Sequence, residues 1–222
     1  MSNPDSFIDE VTEEVRRDRL FAIFRKYGWI GALLVVLIVG GAAWNEWNNA
    51  QQRERAEAFG DAMLDSLDLG APADRKAAIA GIPVNGSQIA VQALMLASDP
   101  STDTAGALAA LDGLIGDPSQ PEVYRDLAVL RRVIIAGGQA PLADRRVALE
   151  GIAAPGRAFR ALALEQLAYL LIEEAKVADA IAAFSALMQD QEAPEGLRRR
   201  AGQMITALGG IPPKANSTVD AG

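Results

Sequence analysis

The chain has 222 residues, half of them hydrophobic, with 21 basic against 29 acidic side chains and a formal net charge of −8. It contains no cysteine and no histidine. That excludes disulfides, thiolate ligands, a CxxC redox role, the usual zinc sites and the Ser-His and Cys-His nucleophile pairs.

The first strong signal is the run from Trp29 to Trp44, and charge is absent from Tyr27 through Asn45. At about 1.5 Å rise per residue such a stretch covers a hydrocarbon core of roughly 30 Å, so 27–45 is predicted to be one transmembrane helix with lipid as its partner. Arg16, Arg17, Arg19, Arg25 and Lys26 precede it closely, whereas Arg53 and Arg55 follow it among Glu46, Glu54 and Glu57. Basic residues are retained on the cytoplasmic side, which keeps residues 1–26 inside; the compact single anchor suggests a bacterial inner membrane, in which case 46–210 is expected in the periplasm. A cleaved signal peptide is the competing reading, since Gly41-Ala42-Ala43 loosely resembles a cleavage site. The long segment before the apolar run and the Trp and Tyr residues at its ends favour a permanent anchor. Within 1–26, Phe7, Ile8, Val11 and Val15 form a helical stripe behind an Asn3-Pro4 start, which suits an interfacial helix lying on lipid or a contact with a membrane partner.

Residues 46–222 hold 16 basic and 23 acidic side chains. The length suits one ordinary domain, and the acidic balance disfavours nucleic acid or anionic headgroups as its ligand. Apolar residues recur at three and four rather than two, so this part is read as all helix: 46–68, 74–80, 87–98, 103–115, 121–136, 142–151, 157–175, 177–190 and 194–208. Gly70-Ala71-Pro72, Pro83-Val84-Asn85-Gly86, Asp117-Pro118-Ser119, Gly137-Gly138 and Ala154-Pro155-Gly156 punctuate them. The tail 211–222 has too few apolar groups to fold and is expected to be disordered.

The helices pair, with boundaries near 86, 119 and 155 that lie 33 and 36 residues apart, a period of helix-hairpin solenoids. Leu164, Leu167, Ala168 and Leu171, followed by Ala180 and Phe184, match the spacing of the tetratricopeptide pattern, in which a small residue lets two helices approach and an aromatic plugs the next gap. The fold class expected is therefore all-α, one N-terminal transmembrane helix followed by a tetratricopeptide-like solenoid. An ordinary helical bundle is the alternative, and the regular period argues against it.

Taken in order, the stub Phe7-Ile8-Asp9-Glu10-Val11 to Arg19-Leu20, the Lys26-Tyr27-Gly28-Trp29 approach to a single anchor, the degenerate hairpins and the closing Leu197-Arg198-Arg199-Arg200-Ala201 to Leu208-Gly209-Gly210 resemble the alphaproteobacterial branch of the YfgM-like proteins, ancillary subunits of the SecYEG translocon. The resemblance implies an inner-membrane protein whose periplasmic repeats handle exported polypeptides beside the translocon and periplasmic chaperones. It supplies no catalytic residues, no cofactor and no metal.

A hairpin solenoid independently favours binding over chemistry, because the first helices of its pairs line an extended groove. On this spacing the groove-facing candidates are Arg125, Val129, Arg132, Glu165 and Tyr169, against the plainer reading of a solvated helix face. Arg198-Arg199-Arg200 is able to hold a carboxylate, but its place in the last helix is read as complementing the helix dipole. Catalysis would have to rest on carboxylates, serines or the four lysines, and none stands in a recognisable motif: Asp61/Asp65 and Glu173-Glu174 have spacings of a wet surface. The other class in play is a scaffold or assembly factor for a different envelope complex, such as cytochrome maturation, outer-membrane protein assembly or cell division, which fold alone does not separate from a translocon subunit.

A reporter active only outside the cytoplasm is expected to work when fused after Gly222, with the protein staying in the membrane fraction after alkaline washing. Release of the fusion into the soluble periplasm would establish the cleaved-signal reading instead.

Overall fold

The computed structural model describes residues 4–213, with side-chain surroundings for Lys26, for 29–31 and for 33–213. The expected apolar stripe of the stub and most of the expected disordered tail, from 214 on, lie outside the described side chains. Every regular element among the described residues is helical: α1 (Pro4–Leu67), α2 (Pro72–Gly81), α3 (Gln88–Leu96), α4 (Thr104–Ile115), α5 (Glu122–Ala136), a 3-10 turn at Gly137–Gln139, α6 (Leu142–Ile152), α7 (Arg160–Glu173), α8 (Val177–Gln189) and α9 (Glu195–Ala207). The chain divides into two compact units, Met1–Gly60 and Asp61–Gly222.

From Pro4 on, the first unit is helix. Its apolar stretch carries an 18-residue window of mean hydropathy 1.6, none of it buried, and Leu33 to Val39 are 49% to 66% exposed. It is long and apolar enough to cross a membrane. Trp44 and Trp47 pack with ring centroids 5.4 Å apart, and beyond them the helix turns polar, with Arg53 meeting Glu46 at 3.5 Å across exposed surface. Residues 46–60, which the sequence reading groups with the soluble part, fall in this unit; they carry few apolar groups with which to join a core.

In the second unit the helices from α2 to α9 pack in sequence order, and in addition α3 touches α5 and α7 touches α9. The core is a series of three clusters. Ala90, Ala97, Ala107, Leu111, Leu114 and Ala128 join α3, α4 and α5. Leu130, Val133, Leu149, Ile152, Ala163 and Leu170 join α5, α6 and α7. Ala168, Ala180, Phe184, Leu187, Leu197, Ala201 and Ile205 join α7, α8 and α9. Both α5 and α7 thus use two faces, one for the cluster before and one for the cluster after.

Helix ends follow the punctuation. Pro121, Pro141 and Pro194 stand just before α5, α6 and α9 with φ of −54°, −53° and −55°, where a missing N–H is harmless and the fixed φ leads into the helix. Asp103 caps α4 by accepting from the Gly106 N–H at 2.8 Å. α7 stops in a Schellman arrangement, the Lys176 N–H donating to the Leu171 carbonyl at 2.9 Å, with Ala175 at φ 59°. α9 ends the same way with Gly209 at φ 81°, where glycine avoids the Cβ clash that Ala175 carries. The long helix expected from 157 begins only at Arg160, because 154–160 turns through Arg157 N–H to Ala154 carbonyl and Arg160 N–H to Arg157 carbonyl bonds.

Ala168 and Phe184, nominated from their spacing, are both interior. Enlarging Ala168 to Leu overpacks the α7–α8 contact and is expected to cost about 1–3 kcal/mol; Phe184→Ala leaves a cavity and is expected to cost about 3–5 kcal/mol. Denaturant unfolding of the full chain in detergent, followed by helical circular dichroism, measures both. A neutral Ala168→Leu would remove this residue from the crossing.

Candidate functional site

Alanines on one helix and leucines on the next open a trough on the second unit. Its floor is Leu164, Leu167 and Leu171, one stripe of α7 at spacings of three and four. One wall is α8, kept low by Ala183 and Ala186; the other is α6, with Arg146 and Glu150. The space between them is about 520 Å³, within the range of ligand-binding clefts.

Ion pairs involve the arginines of the trough. Arg146 donates to Glu174 at 2.7 Å. Arg160 donates to Asp190 at 2.5 Å and to Glu192 at 3.3 Å. The Arg160 guanidinium, helped by the Glu192 backbone N–H, holds the Asp190 carboxyl below the usual carboxylate range. The Glu174 carboxyl is lowered by hydrogen bonds from Lys176 and then from Arg146. Glu150 is exposed and its carboxylate makes no hydrogen bond or ion pair with the described residues.

None of the five residues nominated from the sequence lines this trough. Arg125 is half-buried and its Nε has no hydrogen-bond partner among the described residues. Val129 packs against the middle cluster. Arg132 pairs with Asp112 of α4. Glu165 is only 3% exposed and accepts from Arg200 Nε at 3.0 Å and Nη2 at 2.9 Å. Tyr169 meets Phe184 edge-on at 5.4 Å, and burial pushes its phenol above the usual range. Glu165 is therefore an interior contact, because α9 brings Arg200 onto it, and Tyr169 is half-buried against Phe184 of α8.

The reading of Arg198-Arg199-Arg200 as dipole complements is also corrected. These residues lie in the first half of α9 (Glu195–Ala207), the end where the dipole is positive and a cation gains nothing. Arg200 holds the Glu165 carboxylate instead, and Arg198 donates to the Asp190 carbonyl at 3.3 Å.

Sequence reasoning missed a set of arginine links between helices. Arg131 of α5 donates to the Leu94 and Ala97 carbonyls at 2.9 and 2.7 Å. Arg145 grips Glu173 with two bonds of 2.9 and 2.5 Å, which lowers the Glu173 carboxyl. Arg157 reaches back to Glu122 and the buried Asp126 of α5. Burial raises the Asp126 carboxyl, and Arg157 opposes that rise. The signal was available: Arg157–Glu122 and Arg200–Glu165 are each 35 residues apart, about one hairpin period.

Among the described residues no three His, Cys, Asp or Glu side chains gather as a metal site. No family model, no curated protein and no solved structure matches the chain.

Asp190 and Glu173 remain ionised in the folded chain to lower pH than in the unfolded one. Their contribution to stability is full above the ordinary carboxylate range, about pH 4, and is lost as pH falls through their lowered folded values. The melting temperature of the full chain is thus expected to be flat around neutrality and to drop below about pH 4. Arg160→Gln is expected to lower the neutral plateau and shallow the acid limb, because Asp190 then loses the largest of the influences that hold it down and keeps only the Glu192 N–H and the nearby Arg198. An acid limb unchanged in Arg160→Gln would dismiss the Arg160–Asp190 link as a source of stability.

Proposed function

We propose that the chain is a membrane-tethered, non-catalytic polypeptide-binding module of the bacterial inner membrane. Residues 27–45 cross the bilayer, the N-terminus stays in the cytoplasm, and a tetratricopeptide-like helical domain stands in the periplasm as an ancillary subunit beside the SecYEG translocon. There it receives exported polypeptides together with periplasmic chaperones. The observation that carries the reading is one chain holding both an uncharged, uncovered apolar helix and an open trough floored by leucines.

Further support comes from the three linked core clusters, the second-neighbour contacts of α3 with α5 and α7 with α9, and the basic residues ahead of the span. Clients lose conformational entropy on ordering, so a trough of this size binds them weakly. Tethering beside a translocation exit raises their effective concentration, and micromolar or weaker affinity then suffices.

Photocrosslinking amino acids at positions 125, 132 and 186 of the full chain in cells, with trapped species identified by mass spectrometry, test the proposal. Exported polypeptides and translocon subunits are expected from at least one position, and removal of residues 1–45 is expected to abolish them. Enrichment of one other assembly machine without exported chains would replace the proposal with the scaffold reading. Full crosslinking without the anchor would replace it with a free chaperone.

A further inference from the structure

Resting on that polypeptide-binding reading, we infer that the trough between α6, α7 and α8 takes one kind of segment: a short amphipathic helix with two or more apolar side chains and a lysine or arginine opposite Glu150.

The charge pattern excludes the alternatives one at a time. Four charged residues line the trough, and three of them are engaged: Arg146 with Glu174, and Arg160 with Asp190. Arg146 shares Glu174 with Lys176, and Arg160 holds both Asp190 and Glu192, so an acidic or phosphorylated ligand would have to compete with an existing pair to gain one. Among the described residues, Glu150 is the lining charge without a partner. It repels a carboxylate and offers a cation its one uncompensated contact. The acidic excess of residues 46–222, 23 against 16, acts in the same direction at long range, and it disfavours a second copy of this chain as occupant.

The backbone decides the conformation. Floor and walls are α-helices whose main-chain groups are bonded within their own ladders. An extended segment laid on Leu164, Leu167 and Leu171 would find no strand edge and would leave its own N–H and C=O groups unpaired over apolar surface. A helix satisfies them internally and presents side chains at the same three-and-four spacing as the floor. Ala183 and Ala186 lower the α8 wall so that such a helix can approach. From Arg160 at its end to Leu171 the lining stretch of α7 extends about 16 Å at 1.5 Å per residue, which sets the segment at some three turns.

The test uses the full chain in lipid nanodiscs and two fluorescein-labelled amphipathic peptides of fourteen residues. They are identical except for Lys or Glu at one position flanking the apolar face. Fluorescence anisotropy, with empty nanodiscs as baseline, is expected to give about three- to fivefold tighter binding for the Lys peptide at low salt, the size of an exposed ion pair, with the preference shrinking as salt rises. Glu150→Lys is expected to reverse the preference, and Ala186→Trp, which fills the trough, to weaken both peptides at least tenfold. Glu150 and Ala186 are exposed, and matching melting curves verify that the variants are folded. Equal binding of the two peptides, a preference that survives Glu150→Lys, or binding indifferent to Ala186→Trp would each overturn the inference. Trough binding lost while crosslinks to exported chains persist would overturn this site alone. Intact trough binding with no such crosslinks would overturn the tethered-module reading and keep the site.

Discussion

Alanine at the helix crossings sets how closely neighbours can approach, and the rest of the second unit depends on it. Of the 23 buried apolar side chains among the described residues, 10 are alanine. A methyl contributes little area, roughly 0.8 kcal/mol of transfer free energy when buried. What it gives is proximity, which allows a few large side chains to fill the remaining space at native density: Leu111, Leu149, Phe184, Leu197 and Ile205 are fully enclosed. Because α5 and α7 each serve two clusters, an enlarged crossing on either helix disturbs packing on both sides of it.

A core so rich in small residues leaves helix ends and buried polar groups to be satisfied from neighbours, and arginine does most of this. Among α2 to α9, only α4 has a side-chain N-cap. The carbonyls closing α3 are met by Arg131 of α5, and those closing α2 by Gln92 of α3 at 2.8 and 2.9 Å. Arginine suits the task because its planar fork donates to two acceptors at once. The energy of each link is modest where a carboxylate is interior, as at Asp126 and Glu165, since desolvation offsets much of the attraction. Leaving such a carboxylate without its arginine is far costlier than the pair is favourable, so the links act chiefly to hold each helix in one register against the next.

This division explains what was legible in the sequence. Helix positions were readable because apolar spacing and Pro/Gly punctuation are local signals, and the Ala168, Ala180 and Phe184 pattern placed one crossing. The open face of α7 was not readable. Glutamate on an apolar helix ordinarily marks solvent, yet Glu165 is interior because its partner Arg200 arrives 35 residues later on α9. The start of α7 was misjudged for a related reason: Arg157 has good helix propensity, but its side chain is committed to α5, and the turn that delivers it there overrides propensity. The trough was hidden as well, since it needs three helices and its defining feature, an alanine wall on α8, reads in sequence only as helix.

The same economy of small residues and paired charges bears on how selective the trough can be. With its arginines already occupied, it offers an incoming segment apolar area and a single carboxylate, too little to demand one sequence. Discrimination then rests on general properties, namely amphipathic helix formation and the sign of one flanking charge, each worth only a few fold in affinity. On the proposed polypeptide-binding reading, such a surface would accept many segments and hold none for long. For a free protein this would be a poor binder, whereas for one anchored where clients pass it is an advantage, because rapid release lets each segment move on while the tether keeps recapture efficient. Under the proposed function, a weakly selective trough and the apolar helix that precedes it in sequence would make physical sense together.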